Sequence, residues 1–386
     1  MARPKKQTTK KRPAKEAAPP RARQKRAKKG EEEQKSPSED EKTSPQTETY
    51  LEKCIQQRKV DSLVYNVHWP HTDPVELKKN FAFLDVVHSW AGEYADRPDP
   101  NLDDLTESQK QTLLKSLHGN CIQDWDWNTL MGHVPERISY MAATFFTEMI
   151  VLKDIFSKCV IHPFWYFDGK TGPEDAKKND FFPAELNHLY EMFLSDDRDA
   201  ASAWRADTIR LANIPREKTP APVFGSYNKD RRDDLMSQFA SDLLASEPLK
   251  WILRELPAEE EKGRHEGLLY CYREAAEAAV ALFANQHQVG IDWINFEESN
   301  TFDSDSQTTK VVPDCHVLEP GDKKLDGKRI LMAFTPNITI SYNFDDDAPQ
   351  QATVCSAHVV VDDNEPMDPE KKTVMDASIV KVKEEK

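Results

Sequence analysis

Residues 135–161 read PERISYMAATFFTEMIVLKDIFSKCVI, and this stretch decides the fold. Its apolar residues recur at alternating spacings of four and three, at Ile138, Ala142, Phe145, Met149, Leu152, Phe156 and Cys159. Such spacing predicts an α-helix. Four further apolar residues widen the stripe, namely Phe146, Ile150, Val151 and Ile155. A helix that is apolar on most sides is typical of the centre of a helical bundle. Pro163 is expected to end it.

Helix start and stop signals predict further helices on both sides of this stretch. Upstream, Asp73 suits an N-cap and Pro74 the first helical position, with Glu76 placed to complete a capping box. The next helix is predicted to start at Thr106 and to end at Gly119, because glycine readily adopts the left-handed conformation after a helix. Apolar periodicity predicts five more helices, over residues 183–194, 200–212, 232–245, 249–255 and 258–286.

The pattern changes at Gly290, which we interpret as the end of the last helix. Residues 291–296 predict a short strand, and apolar side chains then alternate with period two around 330–334, 338–344 and 355–361. A turn is expected near Pro336-Asn337. The predicted fold class is mainly α: a helical bundle with a small antiparallel β-sheet near the C-terminus (α+β) and disordered N- and C-terminal tails.

Charge and composition divide the chain into four parts. The 386 residues carry a net charge of −15, but residues 1–30 hold 13 Lys and Arg against one acid, Glu16. Residues 31–49 are acidic, and residues 1–49 contain no Val, Ile, Leu, Phe, Trp, Tyr or Cys that could offset the entropy of ordering. We predict a disordered arm over 1–49, a helical body over 50–290 with a Pro-rich loop near 214–226, a small strand-rich region over 291–361 packed on that body, and a polar tail over 362–386.

Two basic clusters stand in the arm, Lys11-Arg12 and Lys25-Arg26-Ala27-Lys28-Lys29, separated by residues 13–24. This spacing is typical of a two-cluster nuclear localisation signal, formed by Lys11, Arg12, Lys25, Arg26, Lys28 and Lys29. The second cluster alone also fits a one-cluster signal, and the alternative is a solvated basic tail. We therefore predict a nuclear location, a nuclear import receptor as partner, and weak non-specific contact of the arm with nucleic acid.

Both tails carry short modification patterns. Ser36 and Ser44 each precede a proline, as proline-directed kinases require, and Ser38 precedes three acids. A phosphate on any of them would add negative charge beside the basic clusters. Lys383 follows Val382 and precedes two glutamates, which is the acceptor pattern for small ubiquitin-like modifiers. The alternative is a chance match in a solvated Lys/Glu tail.

The sequence predicts no metal, no cofactor and no contact with a membrane. The six cysteines contain no Cys-x-x-Cys pair and follow no apolar leader, which predicts reduced thiols. Two Cys-x-x-His pairs, Cys159/His162 and Cys355/His358, are interpreted as core or surface residues rather than zinc ligands. Gly169-Lys170-Thr171 lacks the upstream glycine of a phosphate-binding loop, because Phe164 stands there. No apolar run is long enough for a transmembrane helix.

The end of the decisive helix and the segment after it read KDIF at 153–156 and HPFWYFD at 162–168. In this respect the chain resembles an expanded family of uncharacterised filamentous-fungal proteins. The resemblance extends over most of 75–361; it implies a helical body followed by a strand-rich part, and it implies no known activity. The aromatic run consists of Phe164, Trp165, Tyr166 and Phe167. These rings predict either a plug that fills the core or a pocket that stacks on a ligand or peptide, and the plug is favoured.

Paired acids are the remaining candidates for chemistry, and they occur at Asp103-Asp104, Asp196-Asp197 with Asp199, Asp233-Asp234 and Asp345-Asp346-Asp347. They could form a carboxylate site with shifted pKa values, or they could simply complement helix N-termini. No catalytic motif accompanies them. We expect a nuclear, non-enzymatic interaction module, in which a basic localisation arm carries an acidic helical body that binds an unidentified protein partner. The alternative is a soluble enzyme that uses clustered carboxylates with His or a divalent metal.

Overall fold

The computed structural model describes residues 73–95, 102–175, 179–213, 223–296, 300–319, 321–342 and 350–363. All of them belong to one compact unit, Lys59–Lys386. The predicted α+β fold class is confirmed, because helices dominate the first part of this unit and two small sheets follow. No helix in the described ranges is both long enough and apolar enough to cross a membrane.

The helices follow one another through the first two thirds of the described residues. In chain order they are α1 Pro74–Lys79, α2 Phe83–Tyr94, α3 Glu107–Ser116, α4 Trp127–His133, α5 Glu136–Ser139, α6 Ala142–Ile155, α7 Phe182–Asp196, α8 Arg198–Ala212, α9 Val223–Ala245, α10 Glu247–Lys250 and α11 Ala258–Phe283. Short 3₁₀ turns at Asn80–Ala82 and Leu102–Asp104 add to these, and a π-helical turn at Phe156–Val160 extends α6.

The decisive stretch is two helices rather than one. At Met141 the backbone leaves the helical conformation (φ −119°, ψ 16°), so α5 and α6 are separate. Tyr140 is exposed at this break, whereas twelve of the fourteen residues of α6 are buried. The expectation of a central, almost fully buried helix is thus met from Ala142 onward. The helix ends ahead of Pro163, at the π-helical turn.

Local capping signals explain where two helices begin. At α1 the Asp73 carboxylate accepts from the Val75 N–H at 2.9 Å, while Glu76 pairs with Lys79 instead of returning to Asp73, so the expected box is half formed. At α3 the box is complete, because Thr106 and Gln109 each bind the backbone N–H of the other. Gly119 has φ 84°, as expected of a residue that follows a helix.

Tertiary contacts shift two helix boundaries away from the predicted ones. Helix α9 begins at Val223, so it takes over part of the predicted Pro-rich loop; residues 214–222 lie outside the described ranges. Helix α10 ends at Lys250 instead of continuing to 255. There the chain turns to pair with the end of α2, since the Arg254 N–H donates to the Tyr94 carbonyl at 3.1 Å.

Two three-stranded sheets form the C-terminal part. The strands are β1 Gln288–Asp292, β2 Thr309–Val311, β3 Ile330–Ala333, β4 Asn337–Tyr342, β5 Gln350–Cys355 and β6 Ala357–Val361. One sheet has the order β1-β4-β5 and the other β2-β6-β3. The chain therefore changes sheet between β3 and β4, near Pro336, and again at Ser356, between β5 and β6.

Two predictions about this part are wrong in detail. The expected single antiparallel sheet is two sheets, and β2 pairs with β6 in parallel. Gly290 does not end the last helix but lies inside β1, where a Cβ atom would stand 2.8 Å from Thr339 Oγ1 of the neighbouring strand. The strand predicted around 330–334 is confirmed as β3, and all four of its residues are buried because both of its faces are covered.

The helices and the sheets share the larger of two hydrophobic clusters in the described part of the chain, and the smaller cluster lies within the strand-rich part. Phe145 of α6 meets Phe334, which follows β3, edge-on at 6.0 Å between ring centroids. The segment between α3 and α4 pairs with β3: the Ala333 N–H donates to the Asn120 carbonyl at 2.8 Å, and the Ile122 N–H donates to the Leu331 carbonyl at 3.1 Å. These contacts join helical and strand-rich parts that the sequence separates widely.

A buried arginine closes the end of α11. The Arg205 guanidinium of α8 donates to the carbonyls of Phe283, Asn285 and His287 and to the Tyr190 hydroxyl, at 2.5–3.2 Å. Arg210 donates to the carbonyl of Ala284 at 2.7 Å. A helix C-terminus carries unpaired carbonyls and partial negative charge, which cationic donors satisfy. The α7–α8 hairpin is fastened to the core in this way.

The first two residues of the predicted polar tail belong to the fold. The Asp362 carboxylate lies 3.0 Å from His133 Nδ1 of α4, and the Asp363 carboxylate lies 3.4 Å from Lys328 Nζ. The Asp362 N–H also donates to the Arg329 carbonyl. The folded part therefore extends to Asp363, and residues 364–386 lie outside the described ranges.

Candidate functional site

An apolar surface lies on the outer side of α7. Four side chains form it and are exposed to 37–74%: Phe181, Leu189, Met192 and Phe193. Leu189, Met192 and Phe193 are spaced as i, i+3 and i+4, so they adjoin on one side of the helix, and Phe181 at the N-cap aligns with Met192 three turns away. We call these four residues the α7 face.

The opposite side of α7 holds it against the protein. Tyr190 is the one buried residue of this helix. Its ring stacks on Trp204 of α8 at 6.4 Å and meets Phe164 edge-on at 6.0 Å. Its hydroxyl accepts from Arg205 at 2.8 Å. Phe182, Leu186 and Leu194 also pack partly against the core, whereas the four residues of the α7 face stay at the surface.

A hollow of about 270 Å³ continues the α7 face toward α8. Phe193 and Trp204 supply its aromatic wall, and their rings meet at 85° and 5.3 Å. Ala200 and Ala201 leave the space that a larger residue would fill, and Asp196 and Asp197 stand at the rim. The hollow is thus mainly apolar with carboxylates at its edge, a combination suited to a side chain that is apolar with a cationic end.

Acidic residues surround the α7 face. Residues 180–199 contain six acids and one basic residue, Arg198. Glu185 and Asp196 lie within the stripe of exposed residues, and Glu191 lies beside it. The Asp197 carboxylate accepts from the N–H groups of Asp199 and Ala200, so it is an N-cap of α8. The acid pair at 196–197 therefore has both a structural role and a place at the rim.

The aromatic run supports this hairpin from inside. Phe164, Tyr166 and Phe167 are buried, and Trp165 is half-buried. Phe164 meets Trp204 at 5.6 Å, and Tyr166 and Phe167 adjoin at 4.8 Å. Burial raises the pKa of Tyr166 to about 12. The rings of this run pack on one another and on α7, α8 and α9, which is the arrangement of a core plug.

The backbone N–H of Lys170, in the loop after the aromatic run, is already engaged within the protein. It donates to the buried Asp168 carboxylate at 3.1 Å. Tyr227 of α9 donates its hydroxyl to the same carboxylate at 2.6 Å, and Arg231 lies 3.4 Å from it. Burial raises the pKa of Tyr227 to about 12, and the hydrogen bond and negative charge of Asp168 contribute to the same shift. An internal anion thus occupies the position where a phosphate-binding loop would hold its ligand.

One histidine lies between two carboxylates, which the sequence did not predict. His88 of α2 places Nδ1 2.9 Å from Glu148 of α6 and Nε2 3.2 Å from Asp314, which follows β2. Burial raises the pKa of Glu148, while His88 counteracts this. The available signal was Glu148 itself, the sole charged residue within the apolar stretch 142–152. The arrangement can share a proton between imidazole and carboxylate.

Most of the other predicted positions are either structural or outside the described ranges. Among the described acid pairs, Asp233 lies 3.7 Å from Arg273. Cys159 and Cys355 are buried, and burial raises the pKa of Cys355 to about 12. Across the described ranges no group of three His, Cys, Asp or Glu side chains could hold a metal ion. The residues outside these ranges are the localisation clusters (Lys11, Arg12, Lys25, Arg26, Lys28, Lys29), Ser36, Ser38, Ser44, Asp345, Asp346, Asp347 and Lys383, and their roles stay predictions.

Comparison with known proteins gives no family for this chain. No family model, no curated protein and no solved structure matches it.

Proposed function

We propose that this protein is a nuclear, non-enzymatic protein-interaction module whose folded body binds a basic amphipathic helix of a partner protein. The α7 face carries this proposal. Monomeric proteins bury most clusters of large apolar side chains, and an exposed apolar cluster with a polar rim is typical of a protein-binding surface. Helices commonly bind such grooves through apolar residues spaced at i, i+3, i+4 and i+7.

The negative charge around the α7 face favours a partner with basic side chains. Glu185, Glu191, Asp196 and Asp197 would meet Lys or Arg side chains on the polar side of the bound helix, which favours the encounter and the orientation. The protein's own basic arm is a poor occupant, because residues 1–30 contain no large apolar side chain besides Met1. A helix that combines apolar and basic residues satisfies both the face and its rim.

A defined peptide tests this proposal. A labelled helical peptide of about 20 residues, with Leu on one side and Lys on the other, is titrated with the full chain near physiological salt, and fluorescence anisotropy is followed. We expect Met192→Asp or Phe181→Asp to weaken binding at least about tenfold. Val317→Asp is the matched control, since Val317 is also exposed but lies outside α7.

Two results would contradict the proposal. Equal binding by the Met192 and Val317 variants would mean that the peptide follows the overall negative charge rather than the α7 face. A wild-type dimer that Met192→Asp converts to a monomer, measured by light scattering, would assign the face to self-association. A peptide with Glu in place of Lys serves as the charge control and is expected to bind more weakly.

The nuclear part of the proposal rests on the arm. Residues 1–30 are fused to a reporter too large to diffuse through the nuclear pore, and the fusion is expected to accumulate in the nucleus. Alanines at Lys25, Arg26, Lys28 and Lys29 are expected to abolish accumulation. A reporter that stays cytoplasmic with the intact arm would refute the localisation while leaving the peptide result unaffected.

A soluble enzyme remains the second candidate, and the His88–Glu148–Asp314 cluster is the observation that favours it. An imidazole between two carboxylates fits acid–base chemistry without a metal, since no group of three His, Cys, Asp or Glu side chains in the described ranges could hold a metal ion. Turnover of chromogenic ester and phosphoester substrates is measured for the wild type and for Glu148→Gln. Turnover that Glu148→Gln abolishes would support this candidate, and no turnover by either protein would count against it.

A further inference from the structure

A second hollow lies far from the α7 face in the chain, where α1 and the turn after it cover β5 and β6. Its volume is about 270 Å³. Its polar groups come from Lys78, Lys310 and His358. Its apolar walls are formed by Phe81, Leu84 and Val354. We call it the α1–β5 pocket. It is large enough for a small organic ligand, below the usual range for drug-sized molecules.

The pocket carries positive charge on an acidic body. Residues 50–361 have a net charge of −19, yet three lysines line this hollow against a single acid, Asp85. Lys79 pairs with Glu76 at 2.5 Å. Lys78 and Lys310 form no ion pair with any carboxylate of the described residues. A concave site lined by two ammonium groups with no such partner among the described residues attracts an anion.

His358 adds a donor to the two lysines. It stands on β6 in register with Lys310 on β2. Its ring is half-buried, and no side chain or carbonyl in the described ranges hydrogen-bonds it. Burial lowers the pKa of the His358 ring, and the positive charge of Lys310 lowers it further. The Asp85 carboxylate acts in the opposite direction and raises this pKa. The neutral ring has an N–H to donate, and an anion beside it would relieve the repulsion from Lys310.

The donors indicate the chemistry of the ligand. The planar guanidinium group of an arginine best matches a planar carboxylate, because it can form two parallel hydrogen bonds. A lysine ammonium group acts as a point charge and can bind phosphate from several directions. Here the three donors come from three elements, α1, β2 and β6, and no arginine lines the pocket. The apolar walls leave room for a short hydrocarbon or aromatic body next to the charged head.

We propose that the α1–β5 pocket binds a small phosphate monoester, with its phosphate held by Lys78, Lys310 and His358 and its organic part against Phe81, Leu84 and Val354. This site is independent of the α7 face and of the import signal.

Calorimetric titration of the full chain tests the site with four probes: phenyl phosphate, inorganic phosphate, benzoate and benzyl alcohol. We expect phenyl phosphate to bind most tightly, inorganic phosphate more weakly because it lacks the apolar part, and benzoate more weakly because it lacks the tetrahedral dianion. Benzyl alcohol is expected not to bind measurably.

Variants locate the binding. Lys78→Ala and Lys310→Ala are each expected to weaken phenyl phosphate about tenfold or more, because each removes a charge-assisted contact at an exposed side chain that does not support the fold. Lys115→Ala, at an exposed lysine of α3, is expected to have no effect, and so is Met192→Asp. No binding at millimolar phenyl phosphate, equal binding by all variants, or benzoate as tight as phenyl phosphate would overturn the proposal.

Discussion

Helices α6 and α7 are similar in length and both rich in large apolar residues, yet one is buried almost completely and the other hardly at all. Twelve residues of α6 are buried, against Tyr190 alone in α7. Helix α6 packs against α2, the aromatic rings of Trp127 and Phe334, and the short helix before it. Helix α7 packs mainly against α8. Apolar content alone therefore does not distinguish a core helix from a surface helix; the number of elements packed against the helix does.

The largest effect is expected from truncating a ring in α6. Phe145→Ala removes a buried ring and leaves a cavity beside Phe334, which costs about 3–5 kcal/mol of unfolding free energy. Met192→Ala in α7 is expected to change stability by no more than about 0.5 kcal/mol, because the side chain is already exposed. Urea unfolding of both variants measures the contrast. Equal losses would show that the α7 face is packed in solution.

Arg205 fastens the α7–α8 hairpin to the end of α11. Arg205→Met leaves buried carbonyls without their donor and is expected to cost about 3 kcal/mol. Hydrogen exchange is expected to increase over 182–212 more than over α6. Arg198→Met, an exposed residue of the same hairpin, is the control. Unchanged exchange in the hairpin would show that other contacts hold α7.

Gly290 tests whether the sheets are packed as tightly as α6. Gly290→Ala places a methyl group against Thr339 Oγ1 and is expected to cost about 1–3 kcal/mol. In a Thr339→Ala background the cost is expected to fall, which a double-mutant cycle measures. Gly263→Ala in α11 has room, with Tyr94 at 3.7 Å, and is expected to stabilise the protein by about 0.5–1 kcal/mol. A cost that persists without the Thr339 hydroxyl would contradict this geometry.

The smallest expected effect is a difference in the pH dependence of stability between variants of Glu148 in α6 and of Glu191 in α7. Burial raises the pKa of Glu148 in α6, so this carboxyl group contributes stability at acid pH that is lost as the pH rises through its raised pKa. Glu148→Gln is therefore expected to gain stability relative to wild type as the pH rises above the usual range of a glutamate carboxyl group. Glu191→Gln in α7 is expected to follow the wild-type profile. Parallel profiles for all three proteins would contradict the burial of Glu148.

The sequence predicted those features that depend on local signals. The capping box of Thr106 and Gln109, a long helix that starts at Ala258 and a largely buried helix within 135–161 all follow from spacing and chain chemistry. The features that it missed depend on distant partners. Helix α10 stops early because Arg254 pairs with Tyr94, and Gly290 belongs to a strand because Thr339 approaches it. No local pattern contains that information.

The candidate site could be predicted only in part, because some of its features depend on local signals and others on distant partners. The acid pair at 196–197 and the helix at 183–194 were recognised, but the helical pattern did not show which apolar residues of that helix are exposed. Their exposure depends on how few elements cover α7, which only the tertiary structure shows. The His88–Glu148–Asp314 contact joins positions that lie on three separate elements, and nothing in their spacing brings them together.

The pairing of Asn120 and Ile122 with β3 sets an order of events during protein synthesis. Residues 120–122 leave the ribosome about two hundred residues before Leu331 and Ala333, at roughly 5–20 residues per second. Strand β3 in turn pairs with β6, which ends at Val361. The apolar surface of α6 that Phe334 covers therefore stays uncovered for tens of seconds, until residues close to the end of the described chain have been synthesised. The nascent protein completes this part of its core only once β6 has been synthesised up to Val361.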